Sequence, residues 1–149
     1  MIHSDETWRE NVPSDVQRDC DALVAEATAM AKQVKRQTRE LTPFALTKPA
    51  RSDGDLFIAA TDEPLEVLRE VLQARAESLD SAVVVAEVSL SAAAGIEQAI
   101  ACYLEHRNGV AFTVLLPYRN RLSILNRVTF DDPITRPNEP PFELPFRIW

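Results

Sequence analysis

The feature that most constrains the fold is the Asn108-Gly109 step between two apolar stretches, Ile96 to His106 and Val110 to Leu116. Asn and Gly both tolerate positive φ, so this dipeptide is a strong signal for a tight β-hairpin. The first stretch also contains Ala, Gln and Leu, which are common in helices. We nevertheless predict a strand there, because the turn signal and a clear β stretch follow at once.

The register of this hairpin predicts a sheet with two apolar faces. A two-residue loop places Tyr103 opposite Val114 and Glu105 opposite Phe112. An antiparallel sheet with one face in water should alternate apolar and polar residues, whereas both faces here are apolar. Two helices can cover one face, so we expect the C-terminal segment or another subunit to cover the other. The first predicted face carries Ala99, Ala101, Tyr103, Phe112, Val114, Leu116 and Tyr118, and the second carries Ile100, Cys102, Leu104, Ala111, Thr113 and Leu115.

A long amphipathic helix is predicted from Ser14 to Leu41. Apolar residues recur at helical spacing throughout this stretch, which is typical of a helix packed on a core. Ser14 and Gln17 match a capping box at its start. Acidic residues dominate its first half and basic residues its second, which complements the helix macrodipole. Pro43 follows and predicts its end.

The remaining elements are predicted from short apolar stretches and turn residues. Asp53-Gly54 predicts a hairpin turn, and Thr61 to Pro64 resembles a helix start with Pro in the first turn. The element order is then α-β-β-α-β-β-β-β, an α+β fold with two main helices and a meandering antiparallel sheet. The predicted strands are 44–48, 55–60, 81–90, 96–106, 110–116 and 122–130, with a connection at 117–121.

The sequence predicts three segments: a flexible lead-in at 1–13, one α+β domain at 14–130 and an extended Pro-rich strap at 131–149. Five of the ten prolines lie in the strap. Its apolar residues alternate with other types, so an extended strap would place them on one side. We expect the strap to fold over its own sheet or to be exchanged with a partner. The predicted partner-binding residues are Tyr103, Tyr118, Phe142, Leu144, Phe146, Ile148 and Trp149.

Composition disfavours several partner classes. The formal net charge is −7 and the sequence pI is about 4.8, so duplex nucleic acid and anionic membranes are not expected partners. No apolar stretch approaches the roughly 18 residues of a membrane span. The start lacks a basic-then-apolar leader, and Cys20 and Cys102 are far apart. We therefore expect a soluble cytoplasmic protein without disulfides.

No motif in the sequence predicts a catalytic residue, a metal site or a cofactor. The three glycines, Gly54, Gly95 and Gly109, are too scattered for a phosphate loop. His3 and His106 have no ligand partner at zinc spacing, and we interpret His106 as an exposed turn residue. Acidic pairs fall at turns, where Asp is common for conformational reasons. Both cysteines lie at apolar positions, which predicts buried and unreactive thiols.

A cluster of basic residues lies in the second half of the first helix. Lys32, Lys35, Arg36 and Arg39 form it, and Arg119 and Arg121 flank Tyr118. Basic groups interleaved with an aromatic ring can bind single-stranded nucleic acid. The overall acidity and the macrodipole favour a structural interpretation instead.

The preferred functional hypothesis is a non-catalytic, homodimeric binding or adaptor-type protein. One alternative is a small-molecule-binding domain or enzyme with a pocket between the second helix and the sheet, or under the strap. The element order is similar to that of Roadblock-type dimers, and the size and acidity resemble those of bacterial secretion chaperones. Either resemblance implies a dimer, although the C-terminal helix of those families is absent here. An acidic immunity-type protein is a further alternative.

Overall fold

The computed structural model of the chain describes residues 2–49, 54–90, 98–120, 128–144 and 146–149. The predicted α+β class with an antiparallel sheet is confirmed, and so is the predicted order of elements. An additional strand, β7, lies in the segment predicted as an extended strap. The helices are α1 (Ser14–Thr38) and α2 (Pro64–Arg75), and the strands are β1 (Phe44–Pro49), β2 (Asp55–Ile58), β3 (Leu79–Ser89), β4 (Gln98–His106), β5 (Ala111–Asn120), β6 (Val128–Phe130) and β7 (Ile134–Pro137).

The seven strands form one sheet in which every pair is antiparallel. Its order is β2-β1-β3-β4-β5-β6, and β7 also pairs with β5. Helix α1 packs on one side, which we call the α1 face, around a core that includes Val83, Val85 and Cys102. Helix α2 and the C-terminal segment pack on the other side, the α2 face. Both faces are therefore apolar, as the hairpin sequence predicts.

The predicted register of the β4–β5 hairpin is wrong by one residue. The structure pairs Leu104 with Phe112, where a two-residue loop would pair Glu105 with it. The His106 amide donates to the Val110 carbonyl at 2.8 Å, so the loop is Arg107–Gly109, and Gly109 has a φ of +101°. A shift of one residue moves a whole strand's side chains to the opposite face. The side chains found on the α1 face for this reason are Phe112, Val114, Leu116 and Tyr118.

Helix α1 differs from its prediction at both ends. It ends at Thr38, because Arg39 adopts a left-handed conformation with a φ of +62°. The predicted capping box is wrong, since the N-cap is Pro13 and no side chain caps the helix. Gln17 instead donates its side-chain amide to the carbonyl oxygens of Val12 and Arg9. This contact fixes the chain that enters the helix.

Residues before α1 also contact the sheet. The Trp8 ring stacks on Phe112 with 4.2 Å between centroids, and the Asp5 amide donates to the Thr135 carbonyl at 2.8 Å. The structure thus places part of the segment predicted as a flexible lead-in against the α1 face and against β7.

The connection predicted at 117–121 is wrong for residues 117–120, because β5 continues through Asn120. Strand β5 changes neighbours there, pairing with β7 at Phe112–Leu115 and with β6 at Tyr118–Asn120. Pro117 has no amide hydrogen, but its carbonyl accepts from the Asp131 amide at 2.9 Å. The predicted strand 122–130 is described only from Val128, since 121–127 lie outside the described residues.

Strands β1 and β2 pair as the Asp-Gly signal predicts, with Thr47 opposite Asp55. A Cβ atom added at Gly54 would lie 2.2 Å from the Thr47 carbonyl oxygen, so only glycine allows this close approach. Asp53 and the start of the predicted strand at Ile96 lie outside the described residues.

Candidate interaction surface

The structure brings together six of the seven predicted partner-binding residues. Tyr103, Leu144 and Ile148 are buried on the α2 face, and Phe142, Phe146 and Trp149 pack partly buried against the same cluster. The seventh residue, Tyr118, lies on the opposite face because of the hairpin register. In this single chain the C-terminal segment covers its own sheet.

Glu105 attaches the end of the C-terminal segment to the sheet. Its side chain is buried, and its Oε2 accepts from the Ile148 amide at 3.0 Å while Oε1 accepts from the Trp149 amide at 3.4 Å. Arg147 Nε lies 3.3 Å from Oε1. The sequence prediction missed this role, because Glu105 lies beside the hairpin turn, where a solvated carboxylate is usual.

Further contacts attach the segment along its length. Thr113 Oγ1 donates to the Phe142 carbonyl at 2.5 Å, and the Arg136 guanidinium lies 5.5 Å from the centroid of the Phe142 ring. The Trp149 indole donates to the Ala76 carbonyl at 3.0 Å. Strand β5, strand β7 and the chain after α2 therefore all hold the segment.

Tyr118 belongs to a polar cluster beneath α1. The ammonium group of Lys35 lies 2.5 Å from Glu87 Oε1 and 4.6 Å from the centroid of the Tyr118 ring. Burial lowers the pKa of Lys35, but the hydrogen bond and charge of Glu87 outweigh it, so the pKa is raised overall. Burial and the Glu87 charge raise the pKa of Tyr118. Lys35 is thus a buried member of the predicted basic cluster, paired with a carboxylate.

Two other members of the basic cluster, Lys32 and Arg36, lie near Phe130. Arg36 and Lys32 lie 5.3 and 5.8 Å from the centroid of its ring. Arg119 is exposed and lies 3.7 Å from Asp131, while Arg121 lies outside the described residues. Tyr118 therefore lies beneath the basic half of α1, whereas Arg119, the next residue of β5, points to the opposite face of the sheet.

The two thiols and His106 are enclosed. Burial raises the pKa of Cys20 and Cys102 to about 12, so both are thiols at neutral pH. The prediction that His106 is exposed is wrong: it is 7% exposed, because the longer loop leaves it at the end of β4 on the α1 face. Its Nδ1 accepts from the Asn108 amide at 3.1 Å. Within the described ranges, no three Cys, His, Asp or Glu side chains converge as a metal site requires.

The space between α2 and the sheet is filled by the fully buried side chains of Leu68 and Leu72. A shallow depression of about 560 Å³ lies at the start of α2, lined by residues 63–66. Another of about 350 Å³ lies between the Trp8 region and the 108–111 turn. In the part of the chain that the structure describes, the depressions are therefore open and superficial.

The edge strand β2 exposes two large apolar side chains. Leu56 is 45% exposed and Ile58 is 64% exposed. They lie opposite Leu46 and Phe44 in the β1–β2 register, so both point to the α1 face. Edge strands of soluble proteins are usually protected by lysine, proline, a bulge or short length. Strand β2 is short, but Asp55–Ile58 contains no lysine or proline, and its register with β1 has no shift.

Among the described strands β2 pairs with β1 alone, so its backbone presents outward-facing groups at this edge. The Ala59 amide donates to the Pro43 carbonyl at 3.0 Å, which fixes the phase of the β1–β2 ladder. Hydrogen-bonded and non-hydrogen-bonded pairs alternate in an antiparallel ladder. The amide and carbonyl of Phe57 therefore face β1, whereas those of Leu56 and Ile58 face outward. We call this feature, with the two exposed side chains, the β2 edge.

Comparison with known proteins gives no relative: no family model, no curated protein and no solved structure matches the chain. Among the described residues, no helix has both the length and the apolar character needed to cross a bilayer.

Proposed function

We propose that this chain is a non-catalytic binding protein of the adaptor type, which associates by strand addition at the β2 edge. The exposed Leu56 and Ile58, on an edge strand without lysine or proline, carry the proposal. In strand addition, main-chain hydrogen bonds supply affinity, and alternate side chains supply specificity. The β2 edge offers both kinds of contact on a preformed strand.

The contrast with the opposite edge of the sheet supports the proposal. The Thr135 amide of β7 donates to Ser4 Oγ at 3.1 Å, and its carbonyl accepts from the Asp5 amide at 2.8 Å. Pro137 ends that strand and cannot donate. At β7 the opposite edge is thus protected by proline and by the N-terminal segment, while β2 presents apolar side chains.

We also propose that the protein is located in the cytoplasm. Cys20 and Cys102 are free thiols, which is typical of proteins in a reducing compartment.

A displayed library of random ten-residue peptides tests the function. Panning against the wild-type chain should enrich peptides with alternating apolar residues, which match a strand. We expect these peptides to bind the Leu56→Lys/Ile58→Lys double variant at least about tenfold more weakly, since lysine protects an edge. Fluorescence anisotropy of labelled peptides measures the affinities, and circular dichroism checks that the variants fold.

The matched control is Ala25→Lys/Ala29→Lys, which adds the same charge at exposed positions of α1. It should bind the selected peptides as the wild type does. Peptides that bind the β2 double variant as tightly as the wild type, or a library that yields no binder, would contradict the proposal.

A further inference from the structure

We infer that the β2 edge binds β2 of a second copy of this chain, in a symmetric antiparallel pair centred on Phe57. This inference rests on the proposed function, because it names the partner of the same edge. It follows from the side-chain spacing, the backbone phase and the charges of β2.

The exposed side chains are spaced for self-pairing. Leu56 and Ile58 lie one residue on either side of Phe57. In an antiparallel pair centred on Phe57, Leu56 of one copy lies opposite Ile58 of the other. A two-fold axis perpendicular to the sheet keeps the α1 faces of both copies on the same side. The four exposed side chains would then form one apolar cluster on that side.

The backbone phase is compatible with this centre. The outward amides and carbonyls belong to Leu56 and Ile58, as the Ala59–Pro43 hydrogen bond shows. Centring on Phe57 makes Leu56 and Ile58 of opposite copies a hydrogen-bonded pair, in which both amides and both carbonyls are satisfied. A pair centred midway between two residues would place outward groups opposite inward ones, so the backbone phase requires a centre on a residue. Among those centres, only Phe57 pairs both exposed side chains, with Leu56 of each copy opposite Ile58 of the other.

The opposite face of the strand is also compatible with a second copy. Phe57 is half-buried on the α2 face, and the Arg75 guanidinium lies 5.0 Å from the centroid of its ring. In the symmetric pair, Phe57 meets Phe57 of the second copy at a non-hydrogen-bonded position. Aromatic pairs at such positions contribute roughly 0.2–1 kcal/mol.

The charges of β2 favour its own sequence over an acidic or basic partner strand. Its ionisable residue is Asp55, which would lie opposite Ala59 of the second copy. No two like charges then lie opposite each other within the pair. Because β2 has four residues, the contact is small, and small interfaces are typical of weak association. We expect a Kd of roughly 1–100 µM.

Disulfide trapping tests the register directly. Phe57→Cys should form a disulfide-linked dimer with a mild oxidant, because Cα atoms at a non-hydrogen-bonded pair lie about 4.5 Å apart, within disulfide range. Leu56→Cys alone should not form a disulfide-linked dimer, because residue 56 of one copy lies diagonally across the pair from residue 56 of the other. A mixture of Leu56→Cys and Ile58→Cys chains should cross-link to each other. The wild type is the control, because Cys20 and Cys102 are buried.

If Phe57→Cys fails to fold, the mixture of Leu56→Cys and Ile58→Cys chains still tests the register. Both side chains are exposed, so their replacement should not disturb the fold. Analytical ultracentrifugation of uncross-linked protein gives the second measurement. The wild type should dimerise with concentration, Ile58→Lys should weaken dimerisation at least about tenfold, and Ala29→Lys should not change it.

A wild type that stays monomeric at about 500 µM, or cross-linking of Leu56→Cys alone as efficient as that of the mixture, would overturn the inference. If peptides from the library still bound at the β2 edge, the proposed function would stand and only the identity of the partner would be wrong. If neither peptides nor a second copy bound, both proposals would be wrong.

Discussion

Lys35 is an ammonium group enclosed beneath a helix, with a side chain only 5% exposed. Burial of a charge is costly unless partners compensate for it. Here Glu87 supplies the opposite charge, the Arg39 carbonyl accepts a hydrogen bond at 2.6 Å, and the Tyr118 ring lies alongside. The cluster thus joins the end of α1 to β3 and β5.

Replacing Lys35 by Met tests the contribution of this cluster to stability. We expect Lys35→Met to lower the free energy of unfolding by about 1–3 kcal/mol, because Glu87 loses its partner but can still reach water. Urea denaturation measures the change. In a double-mutant cycle with Glu87→Gln, the coupling energy between the two residues should be about 1 kcal/mol or more. Lys32→Met is the control, and it should change the free energy of unfolding by less than about 0.5 kcal/mol. Strictly additive single effects would contradict the interpretation.

The buried thiols predict a loss of stability in alkali. The pKa of Cys102 is about 12 in the folded chain, above its ordinary value of 9.0, so the unfolded chain releases its proton first as pH rises. The contribution of the protonated Cys102 thiol to the free energy of unfolding is complete below about pH 9. It decreases by about 1.4 kcal/mol per pH unit as the pH rises towards 12. Cys20 acts in the same direction. Urea denaturation between pH 8 and 10.5 should show a shallower decrease for Cys102→Ala than for the wild type, and parallel curves would contradict this.

At the scale of elements, the C-terminal segment depends on the carboxylate of Glu105. Glu105→Gln keeps the shape but places an amide hydrogen donor near the backbone amides of Ile148 and Trp149. We expect a loss of about 1–3 kcal/mol, because one donor is left without an acceptor. We also expect the segment to detach more readily from the α2 face.

Tryptophan fluorescence measures that detachment. In a Trp8→Phe background, Trp149 is the remaining tryptophan, and its emission should shift to longer wavelength in Glu105→Gln as the indole meets water. Glu143→Gln is the matched control, because Glu143 is exposed in the same segment. Equal emission spectra in the two variants would show that Glu105 does not hold the segment.

The elements of this fold follow from sequence periodicity, but their alignment does not. Helical spacing and turn residues predict α1, α2 and the order of the elements along the chain. The register of β4 and β5 depends on whether Arg107 belongs to the loop, and Asn108-Gly109 is compatible with either length. That single residue decides whether Tyr118 lies beside Tyr103 or beneath α1.

The candidate surface was less predictable than the fold. The sequence predicts the apolar C-terminal segment, and the structure packs that segment on the α2 face. The exposure of Leu56 and Ile58 follows from the position of β2 at an edge, and local sequence does not determine the strand order of a sheet. Strand β7 was also missed, because Pro133 and Pro137 are more typical of loops.

For the whole molecule, the two edges of the sheet have opposite character. The N-terminal segment covers β7 at one edge, and the helices and the C-terminal segment cover both faces of the sheet. Apolar surface is left exposed at the β2 edge. A dimer formed there would extend one sheet through both copies and leave both α2 faces covered.

Because each chain has a net charge of −7, the dimer Kd should depend on salt concentration. The sign of that dependence tests whether the interface is apolar. Like-charged copies repel, and salt screens this repulsion, because the Debye length falls from about 20 Å at 20 mM to about 4 Å at 500 mM. We therefore expect the dimer Kd to decrease about three- to tenfold over this range in analytical ultracentrifugation. Asp55→Asn, which removes a charge near the two-fold axis, should reduce the dependence. A Kd that rose with salt would indicate ion pairs across the contact instead of the apolar pairing of Leu56 with Ile58.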